Sequence, residues 1–319
     1  MGVKRAIFAL LLGTLPALAA GTGSPSDLLA AGRVDDAITT LSGSISRAPQ
    51  DATLHHLLCR AYFAVGNWDH AIPACERAVS LAPEISEYHL WLGRAYGEKA
   101  DASSFLVAAG LAGKVRTEFE QAVVLRPQNA AARTDLAEFY LEAPGIIGGS
   151  QDKARAQAAE LMKLDPGRAH WVYGRLAEKA RDNVTAEREY RASIDASQGS
   201  PTAWFDLASF YRKTGRLDEM EEALHRASAA QPDQPEILVD AASTLLRTNR
   251  ALLFAAALLE RYLSPRTQEQ LSAFKAHYLL GNILEKQGDR QGAAREYRAS
   301  LTLARDFAGA RAALNRVGG

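Results

Sequence analysis

Four histidines recur at matching places along the chain and could bind a metal ion. They are His55, His89, His170 and His277, and 34 residues separate the first two. Zinc holds several ligands at about 2 Å, whereas side chains from equivalent places on successive packed helices lie on the order of 10 Å apart. The spacing therefore predicts partly buried packing histidines and no metal site, with a pH-sensitive element as a weaker alternative.

The two cysteines, Cys59 and Cys75, could form one disulfide bond or remain as buried thiols. Both fall at positions where a helical pattern calls for small apolar side chains, and this favours free thiols. A disulfide needs an oxidising compartment and suitable side-chain directions, so it stays open as the second possibility. Two cysteines are too few for a disulfide-rich scaffold or a multi-thiolate zinc module.

Motifs typical of enzymes are missing from the sequence. It contains no HExxH, no GxSxG and no CxxC. Residues 108–115, AAGLAGKV, resemble a phosphate-binding loop, but Ala108 replaces the first glycine and Val115 replaces the metal-binding hydroxyl. Lys and Arg number 37, and Asp and Glu also number 37, so the chain lacks the basic character of a nucleic-acid binder. We expect no enzyme activity, no cofactor and no nucleic-acid partner.

The first residues have the order of a secretory signal peptide. Lys4 and Arg5 precede an apolar run at residues 6–15, and small residues follow up to Ala19. The run is shorter than the roughly 20 residues that span a bilayer, and no later segment reaches that length. We expect a signal peptide at residues 1–19 and a periplasmic or secreted mature chain, 20–319, without an integral membrane span. A retained anchor is the weaker alternative.

The elements that would position these side chains repeat along the chain. Residues 51–85 align without gaps with the segment that begins at Ser200, placing Tyr62 against Tyr211 and Gly66 against Gly215. Apolar or small residues at spacings of three, four and seven form one helical face. A glycine such as Gly66 can end the first helix in the left-handed conformation, and a proline closes the unit. Each unit therefore reads as helix, turn, helix and stop.

This pattern resembles the tetratricopeptide repeat family. The family's pattern is met best by Trp204, Leu207, Ala208, Tyr211, Leu224, Ala227 and Pro232. The resemblance implies an all-α fold, a right-handed solenoid of about eight helix-turn-helix repeats with a C-terminal capping helix. Repeats would begin near residues 18, 52, 86, 130, 167, 201, 235 and 274, and the tail would occupy 308–319. They would leave no room for a separate catalytic domain.

The resemblance also implies a binding surface, because in this family the first helices of successive repeats line a concave groove. The positions that match, called the groove residues below, are Arg60, Phe63, Trp91, Arg94, Trp171, Arg175, Phe205, Arg212 and Tyr278. Exposed Trp and Arg are favoured at binding hot spots. We therefore expect a protein or peptide partner with acidic and apolar groups, and we expect reversal of Arg94 and Arg175 to Glu to leave thermal unfolding nearly unchanged. The alternative is that the aromatic residues only pack and the arginines are only solvated. Nothing in the sequence indicates the oligomeric state.

Two neighbouring repeats contain insertions. The interval from Pro83 to Pro127 is 44 residues and that from Pro127 to Pro166 is 39, against a period of 34. The extra residues fall in segments 97–114 and 143–150, each between the two helices of its repeat, so both should emerge on the same edge. A small-ligand binder or enzyme using these segments, with Trp91, Phe105 and the turn at 144–149 forming a pocket, is the alternative function.

Overall fold

Helices account for all the regular structure that is described. The computed structural model describes residues 23–229, 235–264 and 271–318; the expected signal peptide and Pro232 lie outside these ranges. Within them the chain forms 17 α-helices, one short 3-10 turn and no strand, which confirms the all-α fold. The helices are α1 (Pro25–Ala30), α2 (Val34–Arg47), α3 (Ala52–Ala64), α4 (Trp68–Leu81), α5 (Ser86–Asp101), α6 (Phe105–Leu125), α7 (Ala130–Glu142), α8 (Gln151–Leu164), α9 (Pro166–Lys179), α10 (Asn183–Ala196), α11 (Pro201–Lys213), α12 (Leu217–Ala229), α13 (Glu236–Thr248), α14 (Leu252–Tyr262), α15 (Ala273–Lys286), α16 (Arg290–Leu303) and α17 (Ala308–Gly318).

Local sequence accounts for where these helices begin and end. Asp51 caps α3, since its carboxylate accepts hydrogen bonds from the amides of Thr53 and Leu54. Gly66 follows α3 with a φ of +70°, the left-handed conformation expected for a turn glycine. The turn after α13 has no glycine, and Asn249 takes the left-handed conformation there with a φ of +55°.

Small residues let the two helices of a hairpin approach closely. Gly93 of α5 faces the ring of Phe119 on α6 so tightly that a Cβ atom would lie 2.5 Å from it. Gly281 of α15 faces Tyr297 of α16 in the same way. Successive hairpins then stack through one continuous apolar core that runs from Cys59 to Ile283. This stacking confirms the repeat solenoid.

The two insertions lie together on one edge. The first lengthens a hairpin, because α6 is the longest described helix at 21 residues. The second forms the 3-10 turn Gly145–Ile147. Arg116 of α6 packs so closely on Gly148 that a Cβ atom there would lie 2.4 Å from its guanidinium. Phe105 and Ile146 are 81% and 96% exposed, so this edge presents apolar side chains to solvent.

The first and last hairpins of the solenoid contact each other, which the sequence did not predict. Leu28, Leu29 and Val34 share an apolar cluster with Phe274 and Ala304. Beside it, the carboxylate of Asp35 accepts hydrogen bonds from the backbone amide and the side chain of Arg305, at 2.8 and 3.1 Å. We call this contact, between α1–α3 and residues 271–307, the seam.

No helix in the described part of the chain is long and apolar enough to cross a membrane.

Candidate functional site

Trp91 is the centre of an aromatic and cationic cluster on α3 and α5. The guanidinium carbons of Arg60 and Arg94 each lie 5.1 Å from the centre of its ring. Phe63 meets the same ring edge-on at 5.2 Å, and the indole nitrogen donates a hydrogen bond to Glu87 at 2.7 Å. Four of the contacts that fix this half-buried indole therefore come from side chains, three of them predicted groove residues, and the cluster is preformed.

His56 extends the cluster as a neutral ring. It is buried, and its ring lies 4.7 Å from that of Tyr88 and 6.2 Å from that of Trp91. Burial, assisted by the positive charge of Arg60, lowers the pKa of His56 to about 4. At neutral pH the imidazole is therefore uncharged, and it packs edge-on against Trp91 without adding a charge to the cluster.

Arg94 and Arg175 are held by carboxylates of neighbouring hairpins. Arg94 donates to Asp135 of α7 at 2.6 Å, and its side chain is 30% exposed. Arg175 donates to Glu138 and Glu142 of α7 at 2.9 and 2.5 Å, and its side chain is only 15% exposed. Replacing either arginine by glutamate would set carboxylate against carboxylate. The structure therefore removes the basis for expecting unchanged thermal unfolding of the doubly reversed protein.

The side chain of Trp171 is buried where α9 packs and is not part of an exposed surface. It is 8% exposed, and the guanidinium carbon of Arg175 lies 5.2 Å from its ring centre. Asp206 of α11 lies nearby, 3.5 Å from Arg168. Burial raises the pKa of Asp206 to about 7, although the charge of Arg168 opposes the shift. Asp206 therefore titrates near neutral pH.

The remaining groove residues occupy separate places. Phe205 is half-buried and packs against the main core, and Arg212 is exposed. Phe63 and Tyr278, from opposite ends of the sequence, line one cavity at the seam. The structure thus divides the nine predicted residues into a cluster at Trp91, a buried pair at Trp171 and a cavity at the seam, with Phe205 and Arg212 apart from all three.

The inserted segments do not enclose a pocket with Trp91. Phe105 and Ile146 project into solvent, as their exposures show, while Trp91 is contacted by Phe63 and Arg60 of α3 and by Arg94 of α5. The pocket of Trp91, Phe105 and the turn at 144–149, on which the alternative function was based, is therefore not formed by these side chains.

Three of the four recurring histidines pair with glutamates inside their own hairpins, whereas His55 contacts the backbone carbonyl oxygen of Pro49 at 3.1 Å. His89 meets Glu118 at 2.6 Å, and the pairs His170–Glu189 and His277–Glu296 have separations of 2.9 and 2.7 Å. The sequence carried a signal for this, because histidine and glutamate lie 19 residues apart in two of the pairs and 29 apart in the hairpin with ten extra residues. The described residues contain no group of three or more side chains able to hold a metal ion.

Cys59 and Cys75 are joined by a disulfide bond between α3 and α4, with their Cα atoms 5.1 Å apart. The free-thiol interpretation, favoured by the small apolar character of both positions, is therefore wrong. Adjacent helices of a hairpin already bring these positions within the range that a disulfide spans, about 4.4–6.8 Å between Cα atoms.

Comparisons with known proteins find tetratricopeptide repeats in three parts of the chain and a distant structural likeness. Models of the tetratricopeptide repeat match residues 28–95, 201–244 and 276–311. Two relatives are each named "Cellulose synthase operon protein C". That of Pseudomonas fluorescens (strain SBW25) is 33% identical over 105 residues, which is 33% of this chain and 8% of the relative. That of Xanthomonas axonopodis pv. citri (strain 306) is 31% identical over 193 residues, covering 54% of this chain and 12% of the relative.

The chain thus spans only a small part of the length of these relatives. Among solved structures, yeast Tom70 is similar with a TM-score of 0.54 and 17% identity, over 89% of this chain and 58% of that one. This likeness concerns the fold alone.

Proposed function

We propose that this chain, which belongs to the tetratricopeptide repeat family, is a non-catalytic interaction scaffold that binds a segment of a partner protein across the Trp91 cluster. The family supports a protein partner in general. The position of the binding surface rests on one observation, the half-buried indole of Trp91 held between Phe63 and the guanidinium groups of Arg60 and Arg94. A rigid aromatic ring with arginines beside it is what interface hot spots favour.

The charges around this cluster indicate the chemistry of the segment. Arg94 is neutralised by Asp135, but Arg60 stacks on Trp91 and makes no ion pair within the described residues. Arg60 therefore retains guanidinium donors for a carboxylate. We propose a segment that places an apolar side chain against the indole of Trp91 and an acidic side chain against Arg60.

Peptide selection tests this proposal and does not require that the natural partner be identified. Random peptides displayed on phage are selected on the wild-type protein, and their affinities are measured by fluorescence polarisation. Trp91→Ala should weaken the selected peptides about 30-fold, the consequence of losing roughly 2 kcal/mol at a hot spot. Arg60→Gln should weaken the acidic peptides about tenfold and spare their neutral analogues.

Arg226→Gln is the matched control, because Arg226 also lies on a helix but is 63% exposed and paired with Glu222 on α12. Circular dichroism establishes that each variant folds. If Trp91→Ala destabilises the fold, Arg60→Gln still decides the question. Equal binding of acidic peptides by the wild type and Arg60→Gln would remove this surface from consideration.

Export is the second part of the proposal. Residues 1–19 have the order of a signal peptide, and the disulfide between Cys59 and Cys75 is a bond that persists in oxidising compartments such as the periplasm. We propose that the chain works there as an accessory of an envelope or secreted assembly. Fractionation of cells that express the full chain or residues 20–319 tests this, with unreacted cysteines counted in denaturant. A cytoplasmic full-length chain with two reactive thiols would contradict it.

A further inference from the structure

A cavity of about 500 Å³ lies where the two ends of the solenoid meet. Phe63 and Trp68 line it from the beginning of the chain, and Phe274, Tyr278 and Phe307 line it from the end. Its volume is within the range of roughly 300–1,000 Å³ that is typical of small-molecule sites. The cavity exists only because the seam is closed.

The aromatic walls support one another. Phe307 meets Phe274 and Tyr278 edge-on, with ring centres 5.1 and 5.2 Å apart. On the facing side, Phe63 and Trp68 form another edge-on pair at 5.1 Å. Each ring is fixed by a neighbouring ring, so the apolar space is formed before any ligand enters, and binding need not order it.

Two cations border this apolar space, and no acidic residue is among the described residues that line it. Arg247 and Lys275 both line the cavity. Arg247 is exposed, and in the described part of the chain its guanidinium makes one long hydrogen bond, to the hydroxyl of Thr244 at 3.4 Å. Lys275 lies 3.6 Å from the half-exposed carboxylate of Asp240, a loose pair. Both side chains can reorient toward a bound anion at a small cost in free energy, because neither is held in a short charge-assisted contact.

We propose that the seam cavity binds a small amphipathic organic anion. Its apolar body lies among the five aromatic rings, and its carboxylate or similar group is bound by Arg247 and Lys275. Aromatic walls with a small number of well-placed polar groups are the usual composition of a ligand site. This site shares Phe63 with the Trp91 cluster, but Trp91, Arg60 and Arg94 are not among its described lining residues. Because its walls come from both ends of the chain, a bound ligand also holds the seam closed.

The test uses 8-anilinonaphthalene-1-sulfonate, a fluorescent aromatic anion, as the probe, and decanoate as its competitor. We expect saturable binding of the probe to the wild-type chain and displacement by decanoate, with decan-1-ol at least tenfold weaker because it lacks the charge. Ser243→Phe places a ring in the cavity without removing a wall and should weaken binding of the probe at least tenfold. The double variant Arg247→Gln and Lys275→Gln should lower the affinity for both anions at least tenfold and spare decan-1-ol.

Matched controls separate this site from other surfaces. Arg226→Gln removes a cation from the last turn of α12 as Arg247→Gln does from the last turn of α13, and it should leave binding unchanged. Phe105→Ser removes the most exposed aromatic side chain of the insertion edge, a site where the probe could adsorb. The cavity is refuted if the wild type does not bind the probe, if Ser243→Phe binds it normally, or if Phe105→Ser abolishes the signal. Trp91→Ala leaves all five aromatic rings of the cavity and the contact between Phe63 and Trp68 in place, so it should still bind decanoate, and failure of the peptide-binding proposal leaves this one standing.

Discussion

Alanine at Gly93 and alanine at Gly97 should change stability in opposite directions. Both glycines lie inside α5, so each substitution gains roughly 1 kcal/mol of helix propensity. Their surroundings differ. A Cβ atom on Gly93 would lie 2.5 Å from the ring of Phe119, whereas a Cβ atom on Gly97 has nothing within 4 Å. One helix therefore offers a test and its own control.

The structure sets the size of the difference. The ring of Phe119 is 6% exposed and sits in the main core, so it can retreat from a new methyl group only by displacing its neighbours. Overpacking of this kind costs about 1–3 kcal/mol. We expect Gly97→Ala to raise the free energy of unfolding by up to about 1 kcal/mol, and Gly93→Ala to lie about 1–3 kcal/mol below it.

Urea unfolding followed by circular dichroism at 222 nm measures both variants. Repeat proteins can unfold in parts, so amide exchange over α5 and α6 should accompany it and localise the effect. The reasoning fails if the two variants shift the urea midpoint equally and in the same direction, because the close approach of the helices at Gly93 would then have no effect on the free energy of unfolding.

Two further predictions concern the histidine pairs and the seam. The hydrogen bond to Glu118 raises the pKa of His89 above 6.5. The protonated ring therefore stabilises the folded state below pH 6.5, and this contribution to the free energy of unfolding is lost as the pH rises through the raised pKa. The stability difference between wild type and His89→Gln should therefore be larger at about pH 5.5 than at about pH 8; a difference independent of pH would contradict the assignment. Phe307→Ser should open the seam and increase the radius of gyration measured by small-angle X-ray scattering, while the helix content is retained. An unchanged radius of gyration would show that the seam does not depend on this ring.

The hairpins could be predicted from the sequence because their signals are local. The 34-residue spacing, the turn glycine at Gly66 and the small residue at Gly93 each act within one repeat. The turn after α13 is harder to predict, since Asn249 replaces the glycine there. Asparagine tolerates the left-handed conformation, so the hairpin persists where the pattern weakens.

The seam and the pairing of the groove arginines could not be predicted in this way. Whether Asp35 reaches Arg305 depends on small rotations accumulated over all the intervening repeats, which no local pattern records. Likewise, the position of Arg175 on its own helix predicts an open surface. Its partners Glu138 and Glu142 belong to the preceding repeat, and the fit between repeats decides that contact.

Closure of the seam bears on how this molecule comes apart. In an open array of repeats the two terminal units have a single neighbour each, and fraying starts from them. Here Val34 of α2 and Ala304 share an apolar cluster, so the first hairpin and the hairpin of α15 and α16 each have a second neighbour, and neither is a free end from which the array can unfold. Unfolding should consequently be cooperative across all the stacked hairpins. A chain break between any two hairpins elsewhere would create two terminal hairpins with one neighbour each, and these would fray.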